Sequence, residues 1–201
     1  DRYSISILDA EKVSKLNKDK LRDLAQKFYN DTYTMDQYGC SSPNSLFWLG
    51  KNNNAKEKFW LELENIAIKK KYLDFSVVNK KISNLMFHSI SKNKNMKINL
   101  KNINVIRLKD KNINFDTNKN INFGTFYEFN LKNLNFLKGY VSEKLQTVTY
   151  FGLTFNQIKN FIIKNNVKGI DRVIPVGRAF DMTTEWDGVD IVSTLSRTIG
   201  S

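Results

Sequence analysis

Cysteine is almost missing from this chain. Cys40 stands alone among 201 residues, which excludes an internal disulfide and any dependence of the framework on an oxidising compartment. His88 is likewise the single histidine, and one thiol with one imidazole does not make a ligand set, so no metal is expected. The nine glycines spell neither a G-x-G-x-x-G fingerprint nor a phosphate loop, and no serine sits in a G-x-S-x-G elbow. No apolar run approaches the roughly 18 to 20 residues of a membrane span, and no signal-peptide pattern opens the chain. The expectation is a cytoplasmic protein without a membrane span. Because the chain starts at Asp1, directly in a strand-like segment, it reads as a piece of a longer polypeptide.

What is present suffices for a core. With 41% hydrophobic and 12% aromatic residues, residues 1–201 are expected to form a single domain. The formal charge of +12 arises from 32 Lys and Arg against 20 Asp and Glu. Clustered basic residues neutralise phosphates, but most of this excess is lysine interleaved with asparagine and isoleucine from Lys92 to Asn122, with few arginines for bidentate contacts. The charge therefore reads as a solvated lysine surface, with docking of an acidic partner as the alternative, and not as a nucleic-acid interface.

Periodicity alternates along the chain. Tyr3 to Leu8 has the period of a strand, ended by Asp9. Leu21, Leu24, Ala25, Phe28, Thr32 and Met35 share one helical face. Ser45 to Leu49 is a short strand, and the turn at Gly50 and Asn52 to Asn54 leads into a helix carrying Phe59, Leu63, Ile66 and Ala67. A third helix is expected with Ser76 as its cap and Val78, Ile82, Leu85 and Ser89 aligned. From Met96 to Leu134 the period is two, which predicts strands or a hairpin, with a flexible loop around Lys109 to Asn122. Leu145 to Phe151 is a strand, and Thr154 with Gln157 forms a capping box for a helix bearing Phe155, Ile158 and Ile162, closed by Gly169. Asp171 to Gly177 reads as a buried strand and Val189 to Arg197 as a last short helix. Strand–helix alternation of this kind predicts an α/β fold.

The chemistry concentrates at Cys40. A structural cysteine usually lies inside an apolar run, whereas Gly39, Ser41, Ser42 and Pro43 force a polar turn whose N–H groups are free to face the sulfur. Cys40 is the candidate nucleophile. His88 falls at the end of a helix among lysines and asparagines and reads as an ordinary histidine rather than a partner for Cys40.

The strand and turn YSISILDAEKV, an amphipathic helix, then MDQYGCSSP followed by a strand, resemble the opening of the catalytic domain of the aldehyde dehydrogenase superfamily. More specifically they resemble the acylation site of the bacterial acyl-CoA reductase family that includes the fatty-acid reductase subunit of luminescent bacteria. At the far end, GIDRVIPVGRAFDMTTEWDGVDIVSTLSR (Gly169 to Arg197) is similar to that family's C-terminal signature, with Asp-Arg, Pro-x-Gly and Trp-Asp-Gly elements. The resemblance spans nearly the whole chain except Lys92 to Asn122.

The resemblance implies the cysteine-bearing half of an aldehyde dehydrogenase-like catalytic domain, built as a three-layer α/β sheet. It implies an NADPH-dependent reductase that converts a fatty acyl thioester, acyl-CoA or acyl-protein, into an aldehyde through a Cys40 acyl-enzyme. The alternatives are a CoA-acylating aldehyde dehydrogenase and a noncatalytic domain that docks a carrier or partner. NADPH would be bound mainly by an N-terminal domain that this chain lacks. Glu143 matches the glutamate that meets the nicotinamide ribose, although the family's Gly-Pro after it is replaced by Gln146 and Thr147. Asp187 would order a loop near the acyl channel. The implied partners are acyl-CoA or an acyl carrier, an acyl-protein synthetase and a second copy of the chain.

Overall fold

The structure is a computed structural model that describes residues 2–90, 97–109, 122–186 and 188–197. Strand β1 (Tyr3–Asp9) is buried from Tyr3 through Leu8, as a central strand covered on both faces must be. Its last residue, Asp9, accepts hydrogen bonds from the Glu11 and Lys12 N–H groups and so caps the short helix α1 (Ala10–Ser14). Asn17 caps α2 (Lys18–Thr32) in the same way, through Lys20. A 3-10 turn over Tyr33–Met35 follows, then β2 (Pro43–Leu49) and α3 (Asn53–Lys69). Next come α4 (Phe75–Ile90), the strands β3 (Lys97–Asn102), β4 (Val105–Lys109) and β5 (Thr125–Leu131), and a second 3-10 segment at Leu134–Tyr140. Strand β6 (Leu145–Phe151), α5 (Phe155–Lys164), β7 (Arg172–Pro175), the small pair β8 (Glu185–Trp186) and β9 (Val189–Asp190), and α6 (Ile191–Leu195) complete the described chain.

The main sheet has seven strands in the order β3-β4-β5-β2-β1-β6-β7. Six are parallel and β3 joins β4 antiparallel at one edge. Helices cover both faces, so the α/β expectation holds as a three-layer structure. On one face α1, α2 and α3 pack against Leu8, Leu46, Trp48 and Phe126. On the other, Leu137 and Phe161 pack on Ile5, Ile7, Phe47, Phe129 and Val148. Among the described residues no helix is long and apolar enough to cross a membrane.

A buried polar knot registers α3 on the sheet. Glu128 of β5 accepts both indole N–H groups, from Trp48 and Trp60, at 3.0 Å each. Its other oxygen lies 3.1 Å from Lys109 Nζ. Arg107 donates to both carboxylate oxygens of Glu57 on α3, at 2.8 and 2.9 Å, with its guanidinium over the Trp60 ring. A buried carboxylate is tolerated only when satisfied in this way.

Several expectations need correction. Helix α2 stops at Thr32, and the tighter 3-10 turn swings Met35 out to 53% exposure rather than leaving it on the buried stripe. Asp74, not Ser76, caps α4 by accepting from the Val77 N–H at 2.8 Å. Its inward face carries Val77 and Lys81, while Ile82 is exposed, a rotation of one residue that periodicity alone does not resolve. On α5, Phe155 is exposed and Phe161 takes the buried place beside Ile158. That helix ends at Lys164, with Asn166 left-handed at φ 47°, well before Gly169. Strand β7 is an edge strand, buried only at Arg172, so its apolar run is half-covered and not enclosed. The β3-β4 hairpin appears as the period-two pattern predicts, whereas the loop expected from Lys109 to Asn122 lies almost wholly outside the described residues.

Gly169 is required for another reason. Its φ is +96°, and a Cβ there would stand 2.4 Å from the Ser142 carbonyl oxygen and 2.6 Å from the Glu143 Cα. Backbone on both sides leaves nothing to yield. Gly169→Ala should therefore lower unfolding free energy by about 2 to 4 kcal/mol, read from urea denaturation; an unchanged midpoint would refute the close approach.

Candidate functional site

Cys40 lies in the α2–β2 connection, at the amino ends of the parallel strands. Its side chain is exposed. The Ser4 hydroxyl at the start of β1 donates to the Cys40 carbonyl oxygen at 2.6 Å and accepts from the Thr147 N–H of β6 at 3.1 Å. The cysteine backbone is thereby stitched across two strand ends. Ser42 N donates back to the Gly39 carbonyl at 2.8 Å, closing a tight turn around the thiol, and the Ser42 hydroxyl donates to the Asp31 carbonyl at 2.7 Å. Among the described residues the Cys40 N–H has no acceptor within the fold, and the buried Ser41 hydroxyl has no partner.

The approach to this turn is strained and held. Asp36 and Gln37 are both left-handed, at φ 50° and 61°, a conformation that costs non-glycine residues about 1 kcal/mol each. Buried Gln37 offsets this with three bonds: its amide donates to the Pro43 and Thr125 carbonyls, and its oxygen accepts from the Gly124 N–H at 2.7 Å. Asp36 accepts from the Tyr72 hydroxyl at 2.6 Å. Burial, reinforced by that carboxylate, pushes the Tyr72 phenol up.

The C-terminal segment that shares the family resemblance folds against the same turn. Asp31, on the last turn of α2 and 1% exposed, accepts from the Gly177 N–H at 2.6 Å and the Ala179 N–H at 2.9 Å. Burial pushes its carboxyl up to about 6, against the lowering effect of those two donors. Phe180 then packs on Gly39: a Cβ at Gly39 would meet its ring at 2.8 Å. Arg172 secures the far side of the loop, donating to the Ala179 and Asp181 carbonyls at 3.2 and 2.9 Å with its guanidinium over the Trp186 ring at 4.6 Å. Asp171 pairs with Arg2. The Asp-Arg, Pro-x-Gly and Trp elements thus form one knot beside Cys40, while Asp187 lies outside the described residues.

Glu143 sits in the turn before β6, also at the amino edge. Its side chain is 79% exposed, with Lys168 Nζ at 4.0 Å. No contact joins it to the Cys40 turn among the described residues. His88 belongs to α4, and its side chain lies outside the described residues. Sequence reasoning missed Asp31, Gln37 and Phe180. A signal for Asp31 was present, since it stands three residues after Phe28 and seven after Leu24, a carboxylate on an apolar stripe.

A dinucleotide does not fit these residues. In an open parallel sheet it binds outside the carboxyl ends of the strands, at glycine turns. Here Gly152, after β6, is closed off: a Cβ would stand 2.7 Å from the Asp9 side chain and 2.9 Å from that of Lys12. Gly50, after β2, faces Glu11.

No protein-family model matches this chain, and no curated protein matches it in sequence. Solved structures do match in shape. A putative methylmalonate-semialdehyde dehydrogenase from Sinorhizobium meliloti 1021, complexed with NAD, superposes with a TM-score of 0.53 at 11% identity, over 88% of this chain and 39% of its own. A lactaldehyde dehydrogenase gives 0.57 at 9% identity, over 92% and 41%. An NADP-dependent enzyme of E. coli gives 0.53 at 11%, over 88% and 39%. The fold is aldehyde dehydrogenase-like. The chain spans about two fifths of the length of these enzymes.

Proposed function

We propose that this chain is the thiol-bearing part of an NADPH-dependent thioester reductase that makes a fatty aldehyde from acyl-CoA or acyl-protein. One observation carries the reading: the lone cysteine is exposed on a tied turn at the amino edge of an aldehyde dehydrogenase-like sheet, with an N–H that has no acceptor among the described residues.

The step assigned to this chain is acyl transfer. The Cys40 thiolate attacks the thioester carbonyl carbon, forming a carbon–sulfur bond, and the carbonyl electrons move onto oxygen. In this reading the Cys40 N–H donates to that oxyanion. Collapse breaks the bond to the CoA or carrier sulfur, which leaves as a thiolate and takes up the proton lost by Cys40. Hydride for the later reduction would come from a nicotinamide cofactor held outside these residues, with Glu143 as its one proposed contact here. An acyl-CoA, an acyl carrier or an acyl-protein synthetase as donor, and a second copy as assembly partner, belong to the same proposal.

The test is intact mass of the purified chain after incubation with acyl-CoAs of two to sixteen carbons. A single adduct released by hydroxylamine supports the reading. No adduct with any donor, on this chain and on the full-length protein alike, refutes it.

A further inference from the structure

We infer that the outward face of α4, with the lysine turn that precedes it, is a docking surface for an anionic lipid bilayer. The inference stands apart from the thioester reading. Helix α4 is apolar on two sides. Val77 is buried, and Leu85 packs against Ile106 and Leu108 of β4. Phe75, Ile82 and Met86 follow one another at i, i+7 and i+11, which at 3.6 residues per turn places them within an arc of about 40° and over a length of about 16 Å. Their exposures are 83%, 39% and 62%. A helix packed on a sheet ordinarily turns charged and polar groups outward, and large apolar side chains aligned in water mark a surface that something covers.

Charge decides what covers it. From Asn65 to Lys109 the sequence has eleven Lys and Arg against one acid, Asp74, a net of +10 out of the chain's +12. Asp74 is committed as the cap of α4. Lys81 is buried, and Arg107 and Lys109 are paired with Glu57 and Glu128. Lys69, Lys70, Lys71 and Lys80 are exposed, Lys70 with its ammonium 4.9 Å over the Tyr29 ring. The first three lie in a turn just before Phe75, closed by the Lys71 N–H on the Ile68 carbonyl at 3.0 Å and the Tyr72 N–H on the Ala67 carbonyl at 3.1 Å. Lysines beside an exposed aromatic and aliphatic row are the composition of a helix that lies in the headgroup region of anionic lipid. A nucleic acid would leave Phe75 and Met86 uncovered, and a second copy would set two strongly basic segments against each other. Phe75 and Met86 project rather than line a groove, which soft acyl chains accept and a rigid partner must match with a cavity. Contacts join α4 to the segment that carries the thiol: Lys80 Nζ stands 5.1 Å from the Phe123 ring, and Tyr38 packs edge-on to the same ring at 5.5 Å. Docking through α4 would hold Cys40 near the bilayer, where long acyl chains and aldehydes partition; that consequence, unlike the docking, rests on the thioester reading.

The test is sedimentation of the chain with vesicles of phosphatidylcholine alone and of phosphatidylcholine with about 30% phosphatidylglycerol, at about 0.15 M salt. Each lysine near such a surface contributes roughly fivefold, so partition into the anionic vesicles should exceed that into the neutral ones at least about tenfold. Lys69→Gln with Lys71→Gln should lower it about tenfold, and Phe75→Ser with Met86→Ser at least about tenfold. Phe155→Ser, which removes an exposed aromatic on α5, should leave it within about twofold. Absence of sedimentation with anionic vesicles overturns the inference, as do equal partition into neutral ones and an equal loss in Phe155→Ser. Binding of soluble polyglutamate with the same dependence on Phe75, without vesicle binding, would replace the bilayer by an acidic protein. Circular dichroism on each variant separates misfolding from lost binding. Phe75→Trp gives a second readout in vesicles brominated along their acyl chains: quenching beyond that of the native chain, whose Trp48 and Trp60 are buried, is expected, and none overturns the docking. No arm uses a thioester donor, so failure here and failure of Cys40 acylation are distinct results.

Discussion

Cys40→Ser should abolish acyl transfer to this chain, lowering the rate at least about 1,000-fold. Thioester exchange runs through a thiolate, and a serine hydroxyl has no comparable anion population at neutral pH without an adjacent base. None is described beside it: the described neighbours of the turn are hydroxyls, backbone and Phe180. The substitution spares the fold, because the Cys40 side chain is exposed and only its backbone carbonyl is bonded. Stability should move by less than about 0.5 kcal/mol. The check is hydroxylamine-sensitive acyl mass beside a urea titration of the same sample. An adduct of equal stoichiometry in the serine variant would place the chemistry on another side chain and end the Cys40 proposal; a lost adduct together with lost folding would make the variant uninformative and call for Cys40→Ala.

The second large effect is a rise in stability with pH. Lys81 is fully buried on the inward face of α4, and among the described residues its ammonium donates only to the Asn104 carbonyl, at 2.9 Å, with the Tyr72 ring 6.0 Å away. Burial pushes its amine down to about 7. A lysine whose folded value is depressed binds its proton more weakly in the native state. The unfolded chain then holds more protons between about 7 and the ordinary value near 10.4, and stability rises with pH across that window. Between pH 7 and pH 9 the gain from this group alone is about 2 kcal/mol.

Asp31 acts in a lower window. Its carboxyl is raised, so the native state holds the extra proton, and this contribution to stability is complete below about 4 and lost as pH rises to about 6. The two groups together predict a minimum near neutrality. Lys81→Met, which fills similar volume without charge, should stabilise the chain by about 2 to 4 kcal/mol at pH 7 and flatten the alkaline limb. Urea midpoints of both proteins at pH 7 and pH 9 decide it. A native midpoint that does not rise over that interval would show that the ammonium is paired.

The elements that were legible are those whose signal is local. Thr154 and Gln157 form the capping box because its two bonds join residues three apart, and β6 begins and ends where the apolar alternation does, at Leu145 and Phe151. The alternation of Lys97 to Lys109 likewise became a hairpin. The faces of helices were read less well. Ile82 and Phe155 fit a 3.6-residue stripe yet stand exposed, because the stripe is set by what the sheet presents and not by the helix, whereas Met35 is exposed because α2 ends at Thr32. Asp74 displaced Ser76 as a cap for a related reason: both are competent, and the direction of chain entry selects one.

The sequence by itself determined the class of the fold, the order of its main strands and helices along the chain though not the short β8-β9 pair, and the placement of one thiol in a turn that cannot be helix or strand. Those depend on residue type and spacing over a dozen positions. Only the tertiary structure decided what surrounds that thiol. Ser4, Asp31, Thr147, Gly177 and Phe180 are separated by up to about 180 residues, and parallel pairing of β1 with β2 and β6 is what carries them to one edge of the sheet. Parallel strands bring together residues whose separation is set by whole crossover connections, and no local pattern records which of those meet.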